Sequence, residues 1–489
     1  MRRPVFVAGD LSGIQDYVLG IKATGKAQAK RLRARSFHVE ILEYAALIRA
    51  RRSLGVSHDN DVLIAGGGGF LLRAGDAVGS ALCYDLHREL QRRVFEESGG
   101  DLGFSMGWGS TVAEARNHLE HRKRRPWESL LSNGNGWAVE AWHRSPISPP
   151  CEVCGCLRAD ATGRGSSNEC RMCREATRLG ERLTTWSWLR PTAGPEPQSI
   201  SALGVHFGQS PPSSPDAFQV RREIPRHPSG EPLMFEELAR QATGSVRLAV
   251  LKADVDDMGV WVSRIAADDD TNRSLRRFST ELHKFFSERI QELLAGSWPQ
   301  IYTLFAGGDD LLLIGPWDKA LDFAGHLLRE FREGPGKRYR ELTFSAGIAL
   351  TPYRVPVRHA VRRTEELLKC AKDPDRGKDR CAALGADWRW DRHTDIIKDG
   401  RVLTSAARDH GVSRSLLQRL LALLDDGAAP ELRAARWSYQ VGRAERLCGP
   451  ARKWAYRVVD HLSEARGAEA RVAQSAASLR YALLATRAS

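Results

Sequence analysis

Two adjacent aspartates, Asp309 and Asp310, interrupt an otherwise apolar stretch of the sequence, LFAGGDDLLLIGP (304–316). The apolar flanks predict the two strands of a β-hairpin, and Gly307 and Gly308 supply the backbone freedom that its tight turn needs. A buried carboxylate needs a partner or a metal, because burying it alone is costly. The pattern therefore indicates a Mg²⁺ site that is open to phosphates, and a solvent-facing hairpin tip is the alternative interpretation.

A second pair of carboxylates, Asp254 and Asp256, lies at the end of the apolar segment LAVLKADVDDMG (248–259). Alternate residues of a strand share one face, so the two side chains are predicted to point the same way. With the hairpin they would hold two Mg²⁺ (or Mn²⁺) ions for nucleotidyl transfer, with Asp254 and Asp309 as ligands. Asp256 or Asp257 could instead cap the following helix, an explanation that does not suit Asp254 at the end of a strand.

The chain also contains an internal repeat. VFVAGDLSGIQDY (5–17) resembles AVLKADVDDMGVW (249–261), LIAGGGGFLL (63–72) resembles LFAGGDDLLL (304–313), and GFSMGWGST (103–111) resembles TFSAGIALT (343–351). The three pairs occur in the same order with nearly the same spacing, which indicates two copies of one unit. Each copy reads strand, helix, hairpin, helix, strand, a pattern typical of a ferredoxin-like α/β sheet.

The two copies differ in their carboxylates. Asp10 aligns with Asp254, whereas the positions of Asp256, Asp309 and Asp310 are taken in the first copy by Ser12, Gly68 and Gly69. We therefore predict that the second copy is catalytic and that the first is a degenerate half that still binds a nucleotide. Its glycines, Gly67 and Gly68 among them, would let the backbone approach a phosphate closely.

Four further residues are candidates for nucleotide contacts. Ser105 and Ser345 occupy equivalent FS-x-G strands and are predicted to hydrogen-bond an adenine from each copy, the alternative being a buried serine with internal partners. Lys372 and Lys378, in CAKDPDRGKDR, are predicted to hold a triphosphate. Solvated lysines on a loop would have the same pattern.

Four cysteines have the spacing of a structural zinc site. Cys151 and Cys154 form one C-x₂-C pair, and Cys170 and Cys173 form the other after fifteen intervening residues. Paired thiolates at this spacing predict a four-coordinate Zn²⁺ with a structural role. Cys156 is left over as a spare.

Composition and charge indicate what kind of partner the protein binds and where in the cell it lies. The 489 residues carry a formal net charge of +13 with a pI near 9.5, which favours a polyanionic partner, with nucleic acid first. No apolar run approaches the roughly 20 residues of a membrane helix, and the N-terminus lacks the apolar stretch of a signal peptide. We expect a cytoplasmic protein with no membrane partner.

Several of these motifs together resemble a known family. An Asp-x-Asp strand followed by GGDD is shared with diguanylate cyclases and, more closely, with the large (polymerase/cyclase) subunit of type III CRISPR effector complexes, the Csm/Cmr large-subunit family. The segments that carry the resemblance are GDLSGIQDYVLGI, AKRLRARSFHVEILEYAA, LKADVDDMG, LFAGGDDLLLIGPW and LTFSAGIALTPYRVPVRHAVRRTEELLKCAK. They span both copies of the repeat.

The resemblance implies an enzyme that makes cyclic oligoadenylate from ATP when its ribonucleoprotein complex binds target RNA. Its implied partners are guide RNA, target RNA, the guide-binding subunit and small helical subunits. A stand-alone nucleotide cyclase that uses GTP, or a catalytically silent scaffold, is the alternative. Many family members begin with an HD nuclease domain, which is not expected here because the first repeat strand starts at Val5 and the only His-Asp pair, His58-Asp59, reads as a loop.

The expected fold is α+β with two ferredoxin-like palm (nucleotidyl cyclase-like) domains, a zinc insert and a C-terminal helical bundle. The expected parts are a degenerate, nucleotide-binding palm (1–145), a zinc-binding insert and linker (146–244), a palm with the GGDD active site (245–395) and a helical domain (396–489). The linker, around 190–235, is predicted to contain one or two short strands. The Arg-rich C-terminal helices are expected to touch RNA or a neighbouring subunit, or to be the solvated face of a plain bundle.

Overall fold

The computed structural model describes residues 4–22, 27–131, 149–155, 168–214, 216–220, 223–267, 273–463 and 468–487. The chain divides into two compact units that alternate along the sequence. The first comprises Met1–Arg222, Asp257–Arg289 and Leu304–Asp309, and the second comprises Glu223–Asp256, Ile290–Thr303 and Asp310–Ser489. The four-part division expected from sequence stays a prediction. Cys156 and most of the loop between the cysteine pairs lie outside the described residues.

The first unit contains an antiparallel sheet with strand order β2-β3-β1-β4. Its strands are β1 (Val5–Ser12), β2 (Val62–Gly66), β3 (Gly69–Ala74) and β4 (Gly103–Gly109). Its helices are α1 (Ile14–Leu19), α2 (Gln28–Ser53), α3 (Ser80–Ser98), α4 (Val112–Lys123) and α5 (Glu128–Leu131). His58 and Asp59 are exposed in the segment before β2.

A cysteine-containing segment and a small sheet follow in the same unit. Helix α6 (Arg171–Arg182) begins directly after Cys170. The sheet has the order β6-β7-β5-β8 and consists of β5 (Trp188–Thr192), β6 (Ile200–Ala202), β7 (Val205–Gln209) and β8 (Phe218–Gln219). The predicted linker of one or two strands is therefore a four-stranded sheet.

The second repeat is built around a six-stranded sheet with the order β10-β11-β9-β12-β13-β14. Its strands are β9 (Leu248–Val255), β10 (Tyr302–Gly307), β11 (Asp310–Pro316), β12 (Phe344–Thr351), β13 (Arg380–Ala383) and β14 (Ala386–Arg389). Strand β9 pairs antiparallel with β11 and β12, whereas β13 adds to β12 in parallel. The first four strands confirm the palm predicted from the repeat.

The helices of this region are α7 (Phe235–Arg240), α8 (Met258–Ala267), α9 (Arg273–His283), α10 (Ile290–Ser297), α11 (Trp317–Glu333), α12 (Pro335–Arg338) and α13 (Val357–Ala371). A π-helical segment, Lys284–Arg289, joins α9 to α10. The sequence predicted one uninterrupted helix over 272–295, and the structure instead has this wider turn in its middle.

The C-terminal region is helical, as predicted. It consists of α14 (His393–Asp409), α15 (Arg414–Asp425), α16 (Pro430–Gly442), α17 (Gly449–Ser463) and α18 (Ala468–Ala485). The helices share an apolar core around Trp437 and Trp454, and the Trp437 indole donates to the carbonyl of Ala455 at 2.8 Å. Among the described residues, no helix is long and apolar enough to cross a membrane.

Candidate active site

Strand register brings three of the predicted site residues together in the second repeat. Asp254, near the end of β9, lies opposite Asp310 on β11 and opposite Ser345 on β12. Asp309 precedes β11 and lies in the hairpin turn. Asp254 and Asp310 each keep 31% of their side-chain surface exposed, so a ligand can reach both carboxylates.

Lys372 places its ammonium group among the oxygens of this site. Its Nζ lies 2.5 Å from Asp254 Oδ2, 2.9 Å from the carbonyl oxygen of Val255 and 3.8 Å from Asp256 Oδ1. The lysine follows α13 directly, so the end of that helix fixes its position. Lys378, by contrast, lies in the loop before β13, and its predicted role at a triphosphate stays a prediction.

Asp256 is held differently from Asp254. Strand β9 ends at Val255, and Asp256 is only 3% exposed. Its Oδ2 accepts hydrogen bonds from the hydroxyls of Thr343 at 2.8 Å and Ser345 at 3.1 Å and from the backbone N–H of Asp379 at 3.1 Å. Its Oδ1 is buried and has no hydrogen-bond partner among the described residues.

Ser345 is fully buried, and its hydroxyl lies within hydrogen-bond distance of Asp256 and of the Ala371 carbonyl. This is the internally bonded serine that the sequence left open as the alternative to an adenine contact. The Ser345 hydroxyl therefore helps to hold Asp256 in place. Its contact with adenine stays a prediction, which the full burial of the side chain does not support.

Two charged residues near the site were missed from the sequence. Lys252 is buried on β9, two residues before Asp254 and therefore on the same face. Its Nζ lies 3.4 Å from Glu365 Oε1 and 4.0 Å from Asp310 Oδ2. The signal was available, because a lysine inside the apolar run LAVLKADV needs a partner when buried.

The first repeat contains the corresponding positions with different residues. Asp10 lies opposite Gly69 on β3 and opposite Ser105 on β4, which confirms the alignment of the two copies. Lys123, at the end of α4, forms an ion pair with Asp10, just as Lys372 does with Asp254. Ser105 is 1% exposed, and its hydroxyl has no hydrogen-bond partner among the described residues.

The glycines of the two hairpins approach each other within the first unit. Gly67, Gly68 and Gly308 have positive φ angles of 71°, 94° and 62°. A Cβ atom added to Gly308 would lie 2.6 Å from Gly67 Cα, so no larger residue fits there without a shift. Gly307 is the last residue of β10. The hairpin glycines therefore serve both turn geometry and this close contact.

A cavity of about 460 Å³ in the first unit borders both hairpins, at Gly67 and Gly307. Tyr44, Trp188 and Phe218 contribute aromatic rings to its lining; the rings of Tyr44 and Phe218 are 4.4 Å apart. Glu43 also lines the cavity and accepts a hydrogen bond from the Gly68 N–H at 2.8 Å. Burial raises the pKa of Glu43 to about 8.

The four predicted zinc ligands come together. The sulfur atoms of Cys151, Cys154, Cys170 and Cys173 all lie within 4.8 Å of one another, and all four residues are buried. Hydrogen bonding with Cys154 raises the pKa of the Cys170 thiol to about 12, and a bound cation would favour its thiolate form. The cluster fits a tetrahedral Zn²⁺.

The carboxylate site fits a divalent cation that prefers oxygen. Asp254 and Asp310 are reachable, the Val255 carbonyl points to the same place, and Asp256 Oδ1 is buried without a hydrogen-bond partner among the described residues. Carboxylate and carbonyl oxygens are the ligands that Mg²⁺ takes, with water and phosphate completing its shell.

Two parts of the chain match known protein families. Residues 247–382 match the family described as Cas10/Cmr2, second palm domain, and residues 4–134 match the one described as Csm1 subunit domain B. These ranges contain Asp254, Asp309 and Lys372 in one case and Asp10 and Lys123 in the other.

Similar curated proteins are named CRISPR system single-strand-specific deoxyribonuclease Cas10/Csm1 (subtype III-A). The protein of Thermococcus onnurineus is 25% identical over 435 residues, which cover 77% of this chain and 55% of the relative. Those of Enterococcus italicus and Mycobacterium tuberculosis are 23% and 25% identical, each with 90% of this chain and 62% of the relative covered. This chain thus spans between about half and two thirds of the length of these relatives.

Solved structures share the fold. The apo Csm1–Csm4 cassette matches with a TM-score of 0.72 at 20% identity, covering 99% of this chain and 70% of that one. The same cassette in complex with one ATP and with cA4 matches with TM-scores of 0.72 and 0.67, at the same identity and coverage.

Proposed function

We propose, from the premise that this chain belongs to the Cas10/Csm1 large-subunit family of type III CRISPR complexes, that it makes cyclic oligoadenylate from ATP when its complex binds target RNA. The observation that carries the proposal is the strand register that sets Asp254 opposite Asp310 beside the Val255 carbonyl. An oxygen-rich, reachable site at the end of a palm sheet suits a nucleotide with its metal.

The second palm would hold the donor ATP. Asp254, Asp309 and Asp310 are the proposed Mg²⁺ ligands, Asp256 supports them, and Lys372 and Lys378 would meet the triphosphate. Bound Mg²⁺ would lower the charge on the α-phosphate and on the pyrophosphate that leaves. A hydroxyl of the acceptor attacks the α-phosphorus, a phosphodiester forms and the bond to pyrophosphate breaks.

The first palm would hold the acceptor. It keeps the glycine hairpin and Asp10, which Lys123 neutralises, and lacks the other three carboxylates of the second palm, whose charge would repel a second triphosphate. A cavity of about 460 Å³ beside Gly67 is lined by aromatic rings, arginines and carboxylates, and its size and its rings support a nucleotide base there. The close approach of Gly67 and Gly308 supports the proposal that both palms take part in the reaction. Reacting atoms must come within about 3–3.5 Å.

The proposed partners are those of the family. The solved relatives are cassettes of Csm1 with Csm4, and we propose that this chain likewise pairs with a guide-binding subunit, small helical subunits, guide RNA and target RNA. The net charge of +13 supports a polyanionic partner.

The test uses the purified complex with ATP or GTP, with and without target RNA, and mass spectrometry of the products. Asp309→Ala with Asp310→Ala is expected to abolish the product and leave assembly intact, while Asp391→Ala, an exposed aspartate on the same unit as Asp310, serves as the control. A double mutant that keeps near wild-type product would refute the site. A product from GTP alone would favour a diguanylate-type cyclase, and no product from either nucleotide would favour a scaffold.

A further inference from the structure

Each palm of this protein contains a lysine paired with the aspartate at the end of its first strand. Lys372 pairs with Asp254 and Lys123 pairs with Asp10. Both lysines lie at the end of the helix that follows the last repeat strand, namely α13 and α4. The pairing is thus a feature of the repeated fold and occurs whether or not the palm has kept its other carboxylates.

In the second palm the lysine occupies the place of a metal ion. Its Nζ lies 2.5 Å from Asp254 Oδ2, 2.9 Å from the Val255 carbonyl and 3.8 Å from Asp256 Oδ1. These are the carboxylate and carbonyl oxygens that fit Mg²⁺, so an ammonium group and a divalent ion cannot use them together. Asp256 Oδ1 is buried and has no hydrogen-bond partner among the described residues, so the lysine leaves one ligand of this set unsatisfied.

The two palms differ in what surrounds the pair. Lys372 contacts the carboxylates of Asp254 and Asp256, and the neighbouring Lys252 contacts those of Asp310 and Glu365, so four carboxylates face two ammonium groups in this palm. Around Lys123 the carboxylates are those of Asp10 and of the exposed Glu120 on its own helix, and Ser12 and Gly69 stand at the other two sheet positions. The surplus of negative charge in the second palm favours replacement of a monovalent cation by a divalent one.

We infer that the Lys372 ammonium group occupies the metal-binding position of the second palm until a divalent metal ion displaces it. Lys123, by contrast, occupies the equivalent position of the first palm permanently. The inference rests on the proposed function, since it takes the Asp254 cluster as the metal site. Displaced from Asp254, the Lys372 ammonium becomes free to pair with a triphosphate, so metal binding and nucleotide binding would assist each other. Lys123 explains why one palm can keep an aspartate without a metal.

The test measures Mn²⁺ binding to the full-length protein by electron paramagnetic resonance, with no nucleotide present. Lys372→Met is expected to bind Mn²⁺ about three- to tenfold more tightly than wild type, because the site no longer has to expel its own cation. The titration is done at 0.1 M and 0.5 M KCl, since a mere change of surface charge is screened at the higher salt whereas removal of a direct competitor is not.

Two lysine variants provide matched controls. Lys123→Met removes the equivalent lysine of the other palm, and Lys369→Met removes an exposed charge one turn earlier on α13. Both are expected to leave Mn²⁺ affinity at wild-type level in 0.5 M KCl. Thermal unfolding checks that each variant is folded, and Lys372→Gln replaces Lys372→Met if the latter is not.

The outcomes separate the inference from the proposed function. Wild-type protein that binds Mn²⁺, together with a Lys372 variant that binds it no more tightly at 0.5 M KCl, overturns the inference alone. Equal tightening by Lys123→Met also overturns it, because the effect would then not depend on the site. Wild-type protein that binds no Mn²⁺, with or without a non-hydrolysable ATP analogue, contradicts the proposed metal site and the inference with it.

Discussion

Asp254 and Asp256 are separated by a single residue, Val255, but their surroundings give them different roles. Asp254 is reachable and pairs with Lys372, whereas Asp256 is buried and accepts three hydrogen bonds through one oxygen. Asp256→Ala would take the acceptor away from the partly buried Thr343 hydroxyl and Asp379 N–H, which costs about 1–3 kcal/mol, while the Ser345 hydroxyl keeps the Ala371 carbonyl. We expect its thermal midpoint to fall by several degrees.

Asp254→Ala is the matched control for that measurement. Its thermal midpoint is expected to stay within about 2 °C of wild type, because a half-exposed ion pair contributes little to stability. Product formation is expected to be lost in both variants. Equal midpoints for the two variants would show that Asp256 is not held more firmly than Asp254.

Glu43 predicts a dependence of stability on pH. Burial raises its pKa from 4.5 to about 8, so between these values the folded protein keeps a proton that the unfolded chain has released. The contribution of Glu43 to the free energy of unfolding is therefore complete below pH 4.5 and is lost as the pH rises from 4.5 through about 8. Between pH 6 and pH 8 the loss of this contribution lowers the free energy of unfolding by roughly 2 kcal/mol.

Glu43→Gln removes the titrating group but keeps an acceptor for the Gly68 N–H. We expect the fall in thermal midpoint from pH 6 to pH 8 to be several degrees smaller in this variant than in wild type. Glu96→Gln, on the same unit, should behave as wild type. Identical pH profiles for Glu43→Gln and wild type would contradict the shifted pKa.

At the scale of single residues, the sequence located the carboxylates but not their protein partners. Asp254 and Asp310 could be predicted because apolar strands and a glycine turn fix where they lie. A buried Ser345 was one of the two sequence interpretations, but its partner Asp256 could not be identified, because the two residues are 89 positions apart in the chain. The contacts of Lys123 with Asp10 and of Lys252 with Asp310 could not be predicted, because each joins residues that are far apart in the chain.

At the scale of elements, the repeated FS-x-G motif has its clearest role at the glycine. A Cβ atom on Gly107 would lie 2.2 Å from the backbone nitrogen of Leu119 on α4, and one on Gly347 would lie 2.3 Å from the carbonyl of Thr364 on α13. Both glycines let a helix pack directly on its strand. Since those helices end in Lys123 and Lys372, the close packing sets where each lysine reaches the sheet.

The hairpin of the first palm gives a prediction about geometry. Gly67 has a φ of 71°, and a Cβ added to it would lie 3.4 Å from Gly308 Cα and 3.5 Å from Asp309 Oδ1. These are ordinary contacts, so the cost of Gly67→Ala comes from its left-handed φ, about 1–2 kcal/mol, and relief of that strain would change the turn that contacts Gly308. We expect product formation to fall at least about tenfold, since misplacement by about 1 Å has large effects on rate. Mn²⁺ binding should be retained.

Gly75→Ala is the control, because a Cβ at Gly75 meets nothing within 4 Å. The stronger change, Gly67→Val with Gly68→Val, should stop synthesis, although a Cβ at Gly68 would come 2.7 Å from Ile14 Cδ1 and would also disturb the first palm. A folded Gly67→Ala protein that makes product at the wild-type rate would contradict a role for this contact.

The long helices of the two repeats could be predicted from the sequence, whereas the short elements could not. The helices at 27–52, 79–98 and 318–333 are found within one residue of their predicted limits. The π-helical segment Lys284–Arg289 and the hairpin of β13 and β14 were missed. Such short strands are stable only against an existing sheet edge, so their own sequence contains little periodicity to detect.

At the scale of the whole molecule, the segment that contains Cys151, Cys154, Cys170 and Cys173, the proposed zinc segment, is part of the first unit. Three buried arginines of α2 reach it: Arg31 bonds Glu169 at 2.8 Å, Arg33 bonds the Gly180 carbonyl at 2.6 Å, and Arg35 donates to Cys173 Sγ at 3.7 Å. The Lys22 N–H also donates to the Val153 carbonyl at 2.7 Å. Loss of the metal should therefore weaken the first palm itself.

Cys170→Ser tests this link between metal and fold. Removing one thiolate is expected to release the zinc, and the unfolding midpoint of the protein should fall by more than about 5 °C, because binding energy of a structural zinc is folding energy. Hydrogen exchange should become faster in α2 as well as in α6, because the arginines of α2 would lose their hydrogen bonds to the cysteine segment. Cys448→Ser, at an exposed cysteine, is the control and should retain metal and midpoint. Native protein without zinc by elemental analysis would refute the site, and faster exchange confined to α6 would show that the zinc segment is stabilised independently of the palm.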